Sequence, residues 1–131
     1  MHGFIGDIER LTDDSEDFRH VVYTGAHLQL VLMTLAPGED IGEEVHLTHD
    51  QFFRIEAGKG HVVIDGVQSK IKKDFAVIVP AGALHNIVNS SEKSMRLYTL
   101  YAPPHHKDGF IAATRELADK SPEKFDGVAS E

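Results

Sequence analysis

The residues best suited to chemistry lie in two short segments of the sequence. The first, EEVHLTHDQ, holds Glu44, His46, His49 and Gln51 within eight positions, and the second, PAGALHNIVN, holds His85. Carboxylate, imidazole and amide groups are all competent ligands for a divalent first-row metal. The two segments therefore predict one metal site, provided that the fold brings them to the same place.

Strand geometry decides which of these side chains can meet. Successive side chains on a strand point to opposite faces, so Glu44 and His46 share a face and His49 falls on the other one. Gln51 begins the next apolar run and shares its face with Phe53. If HLTHD connects two antiparallel strands, Glu44, His46 and Gln51 converge on the inside. A turn inside that connection would instead swing His49 inward, which makes His49 an alternative ligand.

The elements that must position these residues are predominantly β-strands. Short runs rich in Val, Ile, Leu, Phe and Tyr alternate with turn signals. The runs cover residues 20–24, 27–36, 51–56, 61–65, 67–72, 75–79, 84–88 and 95–101. Asp65-Gly66 suits a two-residue hairpin turn of type I′. Many short strands at this spacing indicate an all-β sandwich or barrel rather than βαβ units.

A helical signal is found only near the end of the chain. In KDGFIAATRELADKSPEKF, Asp108 suits an N-cap for a helix over about 110–120, and Ser121-Pro122 resembles a second helix start. The segment TDDSED near the start reads as a solvated acidic loop. His105-His106 in APPHHKDG reads as an exposed loop, with a lid over the barrel mouth as the alternative. The prediction is one domain over 1–131, with a helical tail over about 108–125.

Composition limits the partners. The net charge is −8 with a pI near 5.5, and no basic stripe is visible along the sequence. Nucleic acid and anionic membrane surfaces are therefore not expected as partners, because both require clustered Lys and Arg. The absence of cysteine excludes disulfides and Cys-based zinc sites. No signal peptide and no apolar run long enough to span a bilayer is recognised. A cytoplasmic, soluble domain is the expectation.

The second segment carries a family resemblance. Its pattern P-x-G-x-x-H-x-x-x-N is filled by Pro80, Gly82, His85 and Asn89, and it resembles the second motif of the cupin superfamily. The glycine that usually precedes this motif is Asp74 here. The resemblance covers roughly residues 20–103. It implies an all-β fold, the cupin-type double-stranded β-helix (jelly-roll) barrel, which the tail would extend with a short C-terminal helix.

The first segment matches the other cupin motif with substitutions. That motif normally reads H-x-H, followed by a Glu and then by a Gly. Counting back from Gly58 places Gln51 at the Glu position, His46 at the second His and Glu44 at the first. The resemblance therefore implies a metal-ligand set of Glu44, His46, Gln51 and His85. One carboxylate is retained, although it has moved to another position.

The resemblance also implies a function for the site. An amide oxygen in place of one imidazole makes the donor set harder, which favours Fe, Mn, Ni or Zn over Cu. The leading hypothesis is a small-molecule oxidoreductase of dioxygenase type that acts on an oxygen-bearing substrate inside the barrel. The alternatives are a Lewis-acid isomerase of the sugar type, for which no general base stands out in the sequence, and a non-catalytic barrel that binds or senses a small ligand. A homodimer is also expected, because the segment GFIGDIERL is apolar enough to pair with a second copy.

Overall fold

Two antiparallel sheets form the protein. The computed structural model describes all residues, 1–131. The elements are α1 Ile8–Asp14, β1 Arg19–Thr24, β2 Gln29–Leu35, β3 Asp50–Ala57, β4 Lys59–Ile64, β5 Val67–Lys72, β6 Ala76–Val79, β7 His85–Val88, β8 Met95–Ala102, β9 Ile111–Ala112 and α2 Arg115–Lys120. The six-stranded sheet has the order β6-β3-β8-β2-β1-β9, and the three-stranded sheet has the order β5-β4-β7. The predicted all-β class with a short C-terminal helix is confirmed.

The core lies between the two sheets and follows the strand alternation. In β8 every second residue, from Met95 to Tyr101, is buried. On the neighbouring strand β3, Phe53 and Ile55 lie opposite buried residues of β8 and are fully buried as well. Val62 of β4 and Ile87 of β7 close the core from the three-stranded sheet. The alternation of apolar and polar residues in the sequence predicts this arrangement, in which every second residue of a strand is buried.

Tight turns keep the strands in register. Asp65 and Gly66 have φ of 47° and 82°, which is the backbone of the type I′ turn that the sequence predicted between β4 and β5. Asp74 has φ of 75° at the position where the cupin motif usually carries glycine. Aspartate enters this left-handed region more easily than most residues, so the substitution keeps the local geometry.

Two glycines allow the chain to pass from one sheet to the other between β3 and β4. A Cβ on Gly60 would lie 2.0 Å from the carbonyl oxygen of Val88. Gly58 has φ of 90°, and a Cβ there would lie 2.8 Å from the carbonyl oxygen of Ser94. The backbones approach too closely for any side chain, which explains the pair of glycines in EAGKG.

Both ends of the chain differ from the sequence prediction. Part of the predicted acidic loop forms α1, which begins with Asp7 as its N-cap and packs on β3 and β8. The predicted helix over about 110–120 is shorter, because residues 111–112 pair with β1 as β9. Thr114, not Asp108, therefore caps α2, and no helix begins at Ser121. No helix of the chain has the length and apolar character needed to span a bilayer.

Candidate metal centre

The two chemical segments lie side by side at the mouth of the barrel. Glu44 pairs with His85 as an isolated antiparallel bridge, and each backbone N–H donates to the other residue's carbonyl at 2.9 Å. His46 lies two residues further on, so its side chain is on the same face as Glu44. The carbonyl of His46 accepts from the N–H of Gly82 at 2.8 Å, which fixes the motif turn against this segment.

The ring of His85 is held in one orientation and is 1% exposed. Its Nδ1–H donates to the carbonyl of Ala83 at 3.0 Å. This hydrogen bond places the proton on Nδ1 and leaves a lone pair on Nε2. That Nε2 is buried and has no hydrogen-bond partner in the protein. A backbone carbonyl that fixes the tautomer in this way is the usual support of a metal-ligating histidine.

Gln51 presents a second buried acceptor from β3. Its side-chain Nε2 donates to the hydroxyl of Thr99 at 3.0 Å, while its Oε1 is buried without a partner. An unpaired buried carbonyl oxygen costs free energy of about 1 to 3 kcal/mol. A cation, or a hydrogen-bond donor, placed between the two unpaired acceptors would satisfy both of them.

Three of the predicted residues form a compact group. The ligand atoms of Glu44, His46 and His85 all lie within 4.8 Å of one another, so the group could hold one metal ion. Glu44 Oε2 and His46 Nε2 are 2.9 Å apart. Neighbouring ligands on an ion with bonds of about 2.1 Å are separated by about 3 Å, so this spacing suits two ligands of one ion. A bound ion would replace the proton that His46 Nε2 donates to Glu44 in the metal-free protein. The donor set fits a divalent first-row metal.

The charge state of Glu44 also suits a cation. Burial raises the pKa of its carboxyl group, but the hydrogen bond from His46 and the positive charges around it outweigh burial, so the pKa is lowered overall. Glu44 is therefore a carboxylate near neutral pH, with one side open to solvent. It is the only anionic member of the group, which leaves a net positive charge on a bound divalent ion.

His49, the alternative ligand, is turned away from the group. Its Nε2–H donates to the carbonyl of Pro104 at 3.0 Å, and its Nδ1 lies 3.1 Å from the hydroxyl of Thr48. Both ring nitrogens are thus engaged. The connection HLTHD does join two segments as the sequence suggested, and His49 supports the loop that carries it.

A pair of histidines that the sequence predicted as exposed is instead packed into the mouth. His105 stacks on Tyr101 at 5.2 Å between ring centroids and lies 4.4 Å from the ring of His46. His106 is 5% exposed. Its Nδ1–H donates to Glu123 at 2.5 Å, and its Nε2 is 3.2 Å from the hydroxyl of Tyr101. A carboxylate, an imidazole and a phenol thus form one hydrogen-bonded line into the site.

The protonation of this line follows from burial. Desolvation lowers the pKa of His106 although Glu123 opposes it, and the same effect with neighbouring imidazoles lowers the pKa of His105 to about 4. Burial raises the pKa of the Tyr101 hydroxyl. Both histidines are neutral near pH 7, so Tyr101 donates to His106, which donates to Glu123. No local sequence signal could have shown this, since Glu123 comes from the tail.

A cation also borders the site. Arg19 lies on the same face of β1 as Val21, which is 1% exposed, and therefore faces the interior. Its Nε is buried without a partner, and its guanidinium stands 5.4 Å from the centroid of the Phe18 ring. Its charge helps to lower the pKa of Glu44. Arg19 therefore places a cation near the carboxylate of Glu44.

The comparison with protein families agrees with the motifs. Residues 31–101, more than half of the chain, match the model described as cupin domain. This chain belongs to the cupin family.

Several relatives of this cupin share most of its length. The protein YrkC from Bacillus subtilis (strain 168) is 40% identical over 134 residues, which cover 98% of this chain and 67% of YrkC. The crystal structure of BH2720 from Bacillus halodurans has a TM-score of 0.89 and 37% identity, covering 92% of this chain and 96% of BH2720. The crystal structure of TT1209 from Thermus thermophilus has a TM-score of 0.67 and 25% identity, covering 76% of this chain and 96% of TT1209.

Proposed function

We propose that this cupin is a metal-dependent enzyme of dioxygenase type, which holds a divalent metal through Glu44, His46, His85 and Gln51. Fe, Mn or Ni would suit the dioxygenase reaction, whereas Zn, which has no redox chemistry, would suit a Lewis-acid reaction. The observation that carries the proposal is the convergence of three ligand atoms within 4.8 Å. Beside them, His85 Nε2 and Gln51 Oε1 are buried without partners. A protein interior leaves such acceptors unpaired only rarely, and a cation satisfies both.

Two histidines and one carboxylate leave positions open for further ligands on an ion. This donor set resembles the facial arrangement of non-haem iron oxygenases. A bound metal would supply either redox chemistry with oxygen or Lewis acidity toward a substrate oxygen. The protein itself contributes the fixed tautomer of His85, the carboxylate of Glu44 and the aromatic wall of Tyr101 and His105. The substrate is inferred to be a small oxygen-bearing molecule that enters past His105.

The first test is elemental analysis of untagged protein after incubation with each of the four metals. We expect a stoichiometric metal in the wild type, loss of the metal in His85→Ala, and weakened binding in Gln51→Ala. His61→Ala is the matched control, because His61 lies on the outer face of β4 and should not affect the metal. Oxygen consumption with catechol-like and diketone-like compounds then tests the dioxygenase reaction.

Distinct outcomes would overturn distinct parts of the proposal. A wild type that binds none of the metals would refute the metalloenzyme and favour a barrel that binds a small ligand. Full metal retention in Gln51→Ala would remove Gln51 from the ligand set. A bound metal without oxygen consumption would leave the metal site standing but would refute the dioxygenase.

The line from Glu123 to Tyr101 favours one second candidate, a Lewis-acid isomerase. Such a reaction requires a group that moves a proton, and His106 and Tyr101 are placed to do so at the edge of the site. The discriminating measurement is exchange of solvent deuterium into the carbon next to a sugar carbonyl. Exchange by the wild type that is lost in His106→Asn would favour the isomerase. Absence of exchange would remove this candidate.

The homodimer remains a prediction. Ile5 is 95% exposed, and the outer strands β5 and β6 are edges of their sheets. Exposed edges and apolar side chains are commonly covered by a partner. Light scattering of the purified protein measures the mass directly, and a monomer at all concentrations would refute the dimer. The cytoplasmic location is likewise an expectation, which cell fractionation tests.

A further inference from the structure

The lysines of this acidic protein are concentrated at one end of the three-stranded sheet. Two adjoining grooves of about 570 and 620 Å³ share the residues Lys59, Lys72, Ser90 and Ser91. Five of the eight lysines of the chain line these grooves: Lys59, Lys70, Lys72, Lys73 and Lys93. The other three are Lys107, Lys120 and Lys124. The sequence did not show this cluster, because its members are spread over β4, β5 and two turns.

The register of the sheet places like charges opposite each other. Lys59 of β4 is the direct partner of Lys72 of β5, and Lys70 lies two residues before Lys72 on the same face. These side chains alternate with Val62 and Ile71, which are buried in the core, so they project from the outer face. Like charges directly across a ladder destabilise a sheet. Stability of the fold therefore does not account for this arrangement.

No carboxylate of the protein neutralises these lysines. The nine ion pairs of the structure involve other cations, namely arginines, histidines and Lys120. Glu92 is the one acidic residue that lines either groove, and it forms no ion pair. Five ammonium groups without counter-charges lie around two concave surfaces, in a protein whose net charge is −8.

We propose that these grooves bind a small molecule that carries two or more phosphate groups. Ammonium groups form charge-assisted hydrogen bonds with phosphate oxygens, and the hydroxyl of Ser90 adds a neutral donor. Phe75, which is 42% exposed, gives the first groove an apolar wall for the rest of the molecule. The site lies on the outside of the barrel, is separate from the metal centre, and does not depend on the metal.

The size and charge of the surroundings favour a small ligand over a nucleic acid. Each groove has the volume of a typical small-molecule site. Removing the five lysines from the total charge of −8 leaves −13 for the rest of the protein. A long polyanion would extend beyond the grooves onto this strongly acidic surface, which repels it. A compact polyphosphate has all its charge inside the lysine cluster.

The test is isothermal titration with inorganic tripolyphosphate at low and moderate salt. The test variant combines Lys59→Gln, Lys70→Gln and Lys72→Gln. The control combines Lys107→Gln, Lys120→Gln and Lys124→Gln, which changes the net charge by the same amount outside the grooves. We expect the test variant to lose affinity by about tenfold or more, and the control to change by about twofold or less. All six side chains are exposed, so both proteins should fold, and circular dichroism checks this.

Three results would overturn the proposal. The first is the absence of tripolyphosphate binding to the wild type. The second is an equal loss in both variants, which would show a response to net charge alone. The third is tighter, lysine-dependent binding of a single-stranded oligonucleotide, which would assign the grooves to nucleic acid. Inorganic phosphate serves as the reference and should bind at least about tenfold more weakly than tripolyphosphate, because it engages fewer lysines.

Discussion

The mouth of the barrel and the outer face of the three-stranded sheet both hold polar groups without partners, but of opposite kinds. At the mouth, His85 Nε2 and Gln51 Oε1 are buried acceptors that receive no proton. On the outer face, Lys59 and Lys72 are exposed donors that meet no acid. A cation would satisfy the first set of groups, and an anion would satisfy the second.

The two regions differ in the free energy that their unpaired groups cost. Burial makes an unpaired acceptor costly, so a cation bound at the mouth would stabilise the fold. Water solvates an exposed ammonium group, so the repulsion among the lysines of the outer face costs little in the absence of an anion. A metal should therefore change the stability of the protein strongly, and an anion should change it weakly.

The largest expected effect is stabilisation by metal. At a free metal concentration of about 100 times Kd, the free energy of unfolding should rise by about 2.7 kcal/mol. The rise should vanish in His85→Ala, because the fixed Nε2 ligand is gone. It should persist in His61→Ala, whose ring lies on the outer face. Urea unfolding with and without metal measures both. An equal rise in His85→Ala would mean that the metal binds elsewhere.

Next in size is the loss of stability in acid by the metal-free protein. The pKa of His105 is about 4 in the folded chain, and that of an unfolded histidine is about 6.5. The unfolded chain binds more protons between these values, so stability is complete above pH 6.5 and falls as the pH is lowered toward 4. Allowing for the partial exposure of the ring, the loss should be about 1 to 2 kcal/mol.

Substitution isolates this contribution. His105→Gln cannot take up the proton, so the slope of stability against pH between 6.5 and 4 should become flatter. His27→Gln is the control, because His27 is exposed. Urea unfolding at several pH values gives the slopes. The same slope in His105→Gln and in the wild type would show that another group causes the acid loss.

The smallest expected effect is on the lysine face. Lys72→Glu places a carboxylate opposite Lys59 and turns a repulsion into an attraction. We expect the ligand-free protein to gain about 0.2 to 1 kcal/mol, and less at high salt. Lys107→Glu, outside the grooves, controls for net charge. Urea unfolding at two salt concentrations measures the gain. A lower free energy of unfolding in Lys72→Glu would contradict a repulsion between Lys59 and Lys72 in the wild type.

The strands could be predicted because their information is local. Alternation in β8 and the Asp65-Gly66 turn need only neighbouring residues to be understood. Residues 111–112 are different, because they become β9 only through pairing with β1, far away in the sequence. Helix α1 was missed because it is short and polar, and Thr12 is its only buried residue.

Some residues of the candidate site could likewise be predicted from local sequence, and others could not. Glu44 and His46 share a face by alternation, and His85 followed from the motif, so the grouping of these three agrees with the sequence. His106 was predicted as exposed, because its partner Glu123 approaches from the tail and leaves no local pattern. The lysine cluster was missed for a related reason, since only the register of β4 and β5 brings Lys59 and Lys72 together.

The tail that supplies Glu123 also fastens the wall of the mouth. The amide of Phe125 donates to the carbonyl of His105 at 2.9 Å, and Glu123 accepts from the amide of Lys107 at 2.7 Å. Residues from the far end of the chain therefore hold residues 105–107, which form one wall of the mouth. Hydrogen exchange of the Phe125 amide should thus report how often the tail separates from this wall.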